Sequence, residues 1–527
     1  MKTPLALTSA CCAFLLSGCS SSRSLQTASE TDFQPSSIQP NASDLSVSPY
    51  VSWDPPPFET IDGTLPLSIE AAVFTALGRN RELRIQSLEP VIAGAFEQIE
   101  RSRFNPELFG SAQASEEEVS ETARSTGEQF SVTGRDAQGE IGIRQELATG
   151  ADIELAIGQN RSISNRTPEQ QEARVGLSVT QSLLRGFGPA VNLASVRQAK
   201  IDTLASQYQL RGYTEEFVAD VEIAYWNYVL AQQEMSIFES SLTLAQQERD
   251  EVEGRIEVGA LSETEGAIAR GELARRKSAL IDTRAELERQ KLRLARLLNI
   301  DPSEVRDLSI ETTSAPATEP DPLDDIESRA ELALLKRSDL NESRLRLQQE
   351  RLQTVVTRNG LLPQLDLFIT LGKSGYADAF LDSFEDLQED SYDVSAGLRF
   401  SQFLGETASQ ARDLAARANR EQAAEAVLNH EQIVRLDVQL AVTEVERARE
   451  QIEATADIRR HLEETVIGEE ERLEVGDSTE LQVAEARRDL LESRIREVEA
   501  LINYRIALVE LYLSEGSLLE RRGISIP

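Results

Sequence analysis

Few residues in this sequence have the types needed for catalysis or metal binding. Its 527 residues include only two His, His430 and His461, and three Cys. That leaves little for a Cys/His metal site or a His-dependent triad. Each His lies alone in a predicted helix, where packing or solvation explains it better than a ligand role. The segment Gly186-Phe187-Gly188-Pro189 lacks the Lys-Ser/Thr ending of a phosphate-binding loop. We therefore predict no enzyme, no cofactor and no metal site.

The net charge argues against nucleic acid as a partner. Lys and Arg total 54 against 90 Asp and Glu, a formal charge of −36, so no basic patch is available to neutralise phosphates. Ala, Glu, Leu, Arg, Gln and Ser dominate, a composition typical of long helices. No uncharged apolar stretch of about 18 residues follows the N-terminus. Any passage of the chain through a membrane would therefore use strands.

The N-terminus has the features of a targeting segment. An apolar run at 4–16 leads into Leu16-Ser17-Gly18-Cys19, which resembles the lipobox of bacterial lipoproteins. That resemblance implies removal of residues 1–18 and lipidation of Cys19; the alternative is an ordinary signal peptide that contains Cys by chance. Ser20, instead of Asp, favours the outer membrane. Residues 19–64 are rich in Ser, Thr and Pro, and we interpret them as a tether.

An internal repeat organises the rest of the chain. Arg255-Ile256-Glu257-Val258-Gly259 recurs 217 residues later as Arg472-Leu473-Glu474-Val475-Gly476. Near the start of each half, Phe104-Asn105-Pro106-Glu107-Leu108 matches Leu361-Leu362-Pro363-Gln364-Leu365 at an offset of 257. The offset falls to 221 between this Pro and the matching Gly-Leu pairs at 176 and 397. The first half thus carries 36 more residues there.

Each half contains the same elements in the same order. The predicted repeats are 65–310 and 325–516, with a linker at 311–324 and a tail at 517–527. Each begins with about 35 helical residues, 67–103 and 325–359, followed by a β-region, 104–184 and 362–403. About 70 helical residues come next, 190–258 and 406–475, and then just under 40 more, 261–299 and 478–514. A 70-residue helix is about 105 Å long. The two shorter helices of the first half together match that length, so we expect them to stack end to end along it.

Both β-regions show one-sided apolar alternation. In the first, Ile141, Ile143, Ile153, Leu155 and Ile157 alternate with other residues around Thr149-Gly150. This pattern suits either a soluble sandwich or a transmembrane barrel with a wet interior. The few strands of one chain cannot close a barrel, and lipid does not tolerate an open sheet edge. A membrane barrel would therefore have to be shared between chains.

At this point the sequence resembles the bacterial outer-membrane efflux proteins, or TolC-like channels, over about residues 65–515. The resemblance rests on Leu65-Pro66-Leu67-Ser68-Ile69-Glu70-Ala71-Ala72, on Ala224-Tyr225-Trp226-Asn227-Tyr228-Val229, on the strand exits at 181–184 and 402–405, and on the turn at 472–476. It implies a mainly α fold with a membrane β-barrel shared by a homotrimer and an α-helical tunnel. It also implies a passive export duct of a tripartite efflux or type I secretion system, with a periplasmic adaptor protein and an inner-membrane pump as partners.

The resemblance also suggests functional residues at the two helical turns. The predicted adaptor-docking residues are Val258, Gly259, Leu261, Ser262, Val475, Gly476, Asp477 and Ser478. The alternative is a plain helix–turn–helix corner without a partner. Acidic residues after the second turn can ring the closed end of the tunnel in this family. Glu485 fits that pattern, Gln482 departs from it, and Asp477 and Glu480 lie nearby; for each acid, a solvated helix face is the alternative.

Two other classes of protein remain open from the sequence. One is a lipid-anchored periplasmic coiled-coil scaffold without a pore, in which the alternating segments would form soluble hairpins. The other is an enzyme on a helical stalk, for which no catalytic constellation converges. Drug, metal ion and secreted polypeptide all remain open as cargo.

Overall fold

The structure is a computed structural model, and it describes residues 64–122, 124–306, 308–316, 325–389, 391–405 and 407–525. The predicted leader, Cys19 and nearly all of the tether lie outside the described residues. None of the described helices has the length and apolar character that a membrane span requires.

Strands and helices follow the predicted order along the chain. The strands are β1 (Thr64–Leu67), β2 (Glu107–Thr122), β3 (Gln129–Glu146), β4 (Ala151–Ser164), β5 (Gln170–Ser182), β6 (Ser309–Thr312), β7 (Gln364–Ala377) and β8 (Tyr392–Ser401). The helices are α1 (Ile69–Arg79), α2 (Arg81–Gln86), α3 (Glu89–Ser102), α4 (Pro189–Asn192), α5 (Ala194–Glu257), α6 (Glu263–Leu297), α7 (Pro302–Val305), α8 (Ile326–Lys336), α9 (Ser338–Asn359), α10 (Phe380–Glu385), α11 (Thr407–Glu474), α12 (Glu480–Ser514) and α13 (Leu518–Arg521).

The two longest helices each pair with a shorter antiparallel helix. Helices α5 and α11 have 64 and 68 residues, and their partners α6 and α12 have 35 each. Apolar side chains repeat along α6 at intervals of seven, and Leu273 and Leu294 of this stripe are buried, as expected of an antiparallel helical pair. We call α5–α6 the first hairpin and α11–α12 the second hairpin. These pairs confirm the predicted long helices of both halves.

The first helical stretch of each half was wrongly predicted to be continuous. Residues 67–103 form three helices, because the Asn80 side chain accepts the Leu83 N–H at 2.9 Å and so begins a new helix. Pro90 lies in the first turn of α3, a position that suits its missing N–H. In the second half, extended backbone at Arg337 separates α8 from α9.

The Asn80 side chain also donates to the Leu297 carbonyl at 3.5 Å. The C-terminal end of α6 therefore contacts the junction between α1 and α2.

Six strands form one antiparallel sheet in the order β2-β3-β4-β5-β7-β8. Four of them come from the first half, so its additional residues add strands to the sheet. The register aligns apolar residues across five strands in one row: Ile143, Leu155, Leu177, Leu371 and Val394. The opposite face carries polar rows such as Arg144, Glu154, Ser178, Thr370 and Ser395. One face is thus apolar, the other polar, and β2 and β8 are the open edges.

The largest core surrounds the middle of α5. Here β1 and β6 pair in parallel, and the Tyr225 and Tyr228 hydroxyls donate to the Leu67 and Ile310 carbonyls at 3.0 and 3.1 Å. Trp226 is almost fully buried and meets Tyr225 edge to face at 5.5 Å. The aromatic element at 224–229 is therefore a packing element, which joins the two-stranded sheet to the long helix.

Buried acidic side chains on α5 hold the C-terminal segment. Glu222 is fully buried and accepts two hydrogen bonds from Arg522, at 2.5 and 2.7 Å. Two turns earlier on the helix, Glu215 is also buried and accepts the Leu518 N–H at 3.2 Å. No cation forms a direct ion pair with Glu215 among the described residues. Burial therefore raises the pKa of this carboxyl to about 7.

We predict that Glu215 makes the stability of the fold depend on pH. A folded-state pKa raised above the unfolded value means that the folded chain binds the extra proton, so the contribution is complete below about pH 4.5 and is lost as pH rises to about 7. Glu215→Gln keeps an acceptor for the Leu518 N–H and removes this titration. At pH 8 the variant should gain up to about 3 kcal/mol in unfolding free energy over the wild type.

Denaturant unfolding between pH 4 and pH 8 measures this difference. The matched control is Glu216→Gln, the exposed next residue of α5, which should preserve the pH dependence of the wild type. A Glu215→Gln variant with that same dependence would rule out this carboxyl as its source.

Candidate functional site

The two helical turns have the same backbone geometry. Gly259 and Gly476 adopt positive φ, 77° and 84°. At each turn the Gly N–H donates to the carbonyl three residues before it, at 2.9 and 3.1 Å. The following N–H donates to the carbonyl five residues back, at 2.9 and 2.8 Å. This Schellman pattern ends the long helix cleanly at both turns.

A capping box starts the returning helix at each turn. The Ser262 N–H donates to the Glu265 carboxylate at 2.8 Å, and the Thr479 N–H donates to the Gln482 side-chain oxygen at 3.0 Å. Gln482 lies 217 residues after Glu265 and occupies the equivalent position. Its oxygen also accepts from the Ser478 hydroxyl at 3.2 Å. The side chain of Gln482, a predicted gate residue, is therefore engaged in hydrogen bonds within the turn.

An apolar side chain projects at the apex of each turn. Val258 is 79% exposed and Val475 is 75% exposed, whereas Leu261 is half-buried and Asp477 is exposed. Exposed apolar groups at repeated positions on two identical backbones form two similar small contact surfaces. These surfaces contain Val258 and Val475, two of the predicted docking residues.

The structure separates the predicted gate acids. Glu480 is half-buried and faces the first hairpin: burial raises its pKa, Arg255 opposes that rise, and Glu265 and Glu251 add to it. Glu485 lies five residues further along α12, about 140° around the helix, and is exposed. Asp477 precedes the helix. Glu480 and Glu485 therefore face different surroundings and do not form one cluster.

Arg487 joins three helices and was not identified from the sequence. From α12 it contacts Glu248 of α5 and Glu470 of α11, and its Nε donates to Glu470 at 2.8 Å. Burial lowers the pKa of this guanidinium. It borders a cavity of about 470 Å³ between the hairpins, also lined by Glu272 and Arg276. Arg487 is one of many Arg on these helices and is followed directly by another, Arg488, so no sequence signal singles it out.

The His residues have the ordinary surroundings expected of them. His430 Nδ1 bonds with the Ser343 hydroxyl at 3.0 Å, and its Nε2 donates to the Asp339 carboxylate at 3.1 Å, so this side chain links α11 to α9. His461 is exposed beside Glu464. In the described part of the chain, no group of three or more His, Cys, Asp or Glu is placed to hold a metal ion.

Comparison with known proteins agrees with this architecture. Residues 330–517 match the family model described as outer membrane efflux protein. The search of curated proteins found no match. Among solved structures, the Campylobacter jejuni CmeC outer membrane channel matches with a TM-score of 0.63 and 18% identity, over 85% of this chain and 86% of that one. VceC from Vibrio cholerae matches with a TM-score of 0.63 and 15% identity, over 85% and 96%. The open state of the Neisseria gonorrhoeae MtrE outer membrane channel matches with a TM-score of 0.59 and 18% identity, over 85% of this chain and 89% of that one.

The chain therefore has the fold of the TolC-like outer-membrane channels. Its second half is matched directly by the outer membrane efflux protein family, which confirms the resemblance predicted from the sequence. The matched segment runs from α8 to the C-terminal end of α12 and so includes the second turn.

The turn glycines give a test of the turn geometry. Gly259→Ala and Gly476→Ala should each destabilise the turn by about 1 kcal/mol, because Ala adopts positive φ at a cost. Hydrogen exchange of the turn amides would measure the loss as faster local opening.

The matched control is Gly468→Ala in the interior of α11, where an added Cβ meets nothing within 4 Å. Ala is the better helix former there, so this change should slow local opening instead. If all three variants change the hydrogen-exchange rate in the same direction, the positive φ of Gly259 and Gly476 does not determine the stability of the turns.

Proposed function

We propose that this chain is one subunit of a trimeric outer-membrane channel that serves as a passive export duct. One observation carries the proposal: a sheet with one apolar face, one polar face and two open edges continues into helical hairpins. In a bilayer such a sheet is tolerated only if its edges are paired with those of other subunits. The apolar face would meet lipid, and the polar face would line a wet interior.

The helices that adjoin the two sheet edges carry exposed apolar residues that would pack between subunits. Helix α3 leads into β2 at one edge of the sheet, and β8 leads into α11 at the other. Exposed apolar residues recur along α2 and α3 at spacings of three and four: Ile85, Leu88, Ile92, Phe96 and Ile99. Helix α11 exposes Leu414 and Leu428 near its start. In a closed ring, α3 and β2 of one subunit would meet α11 and β8 of the next, so one interface covers both the strand edges and the apolar stripes.

Six strands from each of three subunits would give an 18-stranded barrel. A barrel of this size leaves an aqueous channel, whereas about eight strands leave room only for side chains. From the sheet, α5 and α11 extend for about 100 Å at 1.5 Å per residue. The turns would therefore lie far from the membrane, where three subunits present six exposed Val side chains to a periplasmic adaptor and its inner-membrane pump. Lipidation of Cys19 would anchor the N-terminus in the same outer membrane.

We place the acidic gate at Glu485. It lies on the exposed face of α12 shortly after the second turn, and three copies brought together would repel one another and attract cations. Glu480 faces the first hairpin of its own subunit, and Gln482 caps the helix. Asp477, exposed just before the helix, is the one other predicted acid that is available to such a ring.

Insertion and conductance test the channel and its interface together. The purified protein should be a trimer in detergent and should give single-channel conductance in planar bilayers. Ile92→Asp puts a charge in the centre of the α3 stripe and should abolish both properties. Gln98→Asp adds the same charge to an exposed position of α3 about 120° from the stripe and should preserve both. A wild-type protein that is monomeric and gives no conductance would instead support the pore-free scaffold.

The gate assignment has its own test. Glu485→Gln should weaken block of the channel by added divalent or trivalent cations and lower its cation selectivity, because the charge at the constriction is removed. Glu480→Gln is the matched control on the same helix and should leave both unchanged. Equal effects of the two variants on block and selectivity would contradict the assignment to one face of α12.

A further inference from the structure

The connection between β7 and β8 places a short helix on the apolar face of the sheet. Ser383 of α10 is fully buried, and the Gln159 side chain of β4 donates to its hydroxyl at 3.2 Å. A Cβ on Gly375 of β7 would collide with the Ser383 carbonyl. Gln159 and Gly375 alternate in step with Ile157 and Leu371 along their strands, so they share the apolar face. Helix α10 therefore covers one end of the face that, in the proposed channel, meets lipid.

The exposed surface of α10 has an apolar side and an acidic side. With 100° per residue and Ser383 toward the sheet, Leu381, Phe380 and Phe384 fall on one flank, and Asp382 and Glu385 fall on the other. Leu381 is 71% exposed and Phe380 is 53% exposed. The rings of Phe380 and Phe384 pack edge to face at 5.4 Å, which keeps the apolar flank together. Phe384 is half-buried. Solvation explains the acidic flank but not the two exposed apolar side chains beside it, Phe380 and Leu381.

The sheet beneath α10 carries side chains suited to a membrane boundary. The row next to Gly375 aligns Val175, Lys373 and Tyr392 on the apolar face. Tyr392 is 77% exposed, and Lys373 is exposed as well. Tyr and Lys place an apolar body in hydrocarbon and a polar end in water, so they are typical of the level where the bilayer ends. Fully apolar rows begin one step further from α10, at Leu177, Leu371 and Val394.

We infer that α10 is a membrane-interface helix, which places Phe380, Leu381 and Phe384 in the headgroup–acyl boundary of the bilayer leaflet at the end of the sheet remote from the long helices. The partner is the lipid surface itself. The acidic flank faces water, and the apolar flank extends the lipid-facing surface at the end of the sheet that α10 covers. Such a helix fixes the depth of the sheet in the membrane. Movement of the sheet out of the bilayer would expose the apolar flank of α10 to water, and movement into the bilayer would bury the carboxylates of its acidic flank. This inference rests on the proposed channel, in which the sheet spans the bilayer.

Depth-dependent quenching tests the placement. All three native Cys lie within the first 19 residues. In the proposed mature lipoprotein, Cys11 and Cys12 are removed with the leader and the Cys19 sulfur carries lipid. A Cys introduced into the described region would then be the one thiol that takes a fluorescent label. The variants are Leu381→Cys on the apolar flank, Asp382→Cys on the acidic flank and Leu371→Cys in the fully apolar rows. Each labelled mature protein is reconstituted in phosphatidylcholine vesicles whose lipids carry bromine either near the headgroup or deep in the chain.

The expected pattern distinguishes this inference from the proposed function. Label at Leu381→Cys should be quenched more by shallow than by deep bromines, as expected for burial of about 5–10 Å. Label at Leu371→Cys should be quenched more by deep ones, and label at Asp382→Cys should lose little emission with either. If Leu371→Cys is quenched while Leu381→Cys behaves like Asp382→Cys, the helix faces water and the inference fails. Quenching of Leu381→Cys as deep as that of Leu371→Cys also overturns it. Absence of quenching at Leu371→Cys overturns the membrane placement of the sheet, and the inference with it.

Discussion

The need to pair every backbone N–H and C=O within a bilayer governs the proposed assembly. The six-stranded sheet leaves two long unpaired rows, on β2 and on β8, and no other described strand is adjacent to either. Helix α3 runs directly into the first edge, and α11 runs directly out of the second. Any ring closure that pairs the strands must therefore also bring these helices together. The exposed apolar stripe on α3 is consistent with strand pairing as the cause and helix contact as the result. A neighbouring subunit would cover the stripe only after the paired strand edges had brought the helices together.

Much of the fold follows from periodicity in the sequence. The long helices and their turns were predictable, because long helical stretches and a Val-Gly pair recur in both halves. The strands were predictable from alternation, and the length difference between the halves indicated extra residues. That these residues become two more strands of the same sheet depends on pairing between segments far apart in sequence, which local patterns do not contain. The breaks at Asn80 and Arg337 were missed because one hydrogen-bonded side chain, or one extended residue, can end a helix without Gly or Pro.

The candidate site was predictable in position and only partly in role. Repeat matching located both turns, and the structure shows that they share their hydrogen bonds residue by residue. It also shows why Gln482 departs from an acidic pattern. As a capping residue it needs an acceptor oxygen, which Gln supplies as well as Glu265 does in the first turn. The division between Glu480 and Glu485 follows from helix geometry, but the sequence alone does not show which side of α12 meets the first hairpin.

Arg487 links the two hairpins of one subunit through two carboxylates. Its two carboxylate partners differ in kind: Glu470 belongs to the same hairpin, whereas Glu248 belongs to the other. If the second hairpin moves as a unit, the pair with Glu470 is retained and only the contact with Glu248 is broken. The guanidinium would thus keep one carboxylate partner throughout such a movement. The cavity beside Arg487 is also lined by Glu248 and is large enough to hold water next to that carboxylate. An opening movement at the turns would therefore proceed between α12 and α5, with the antiparallel packing inside each hairpin left intact.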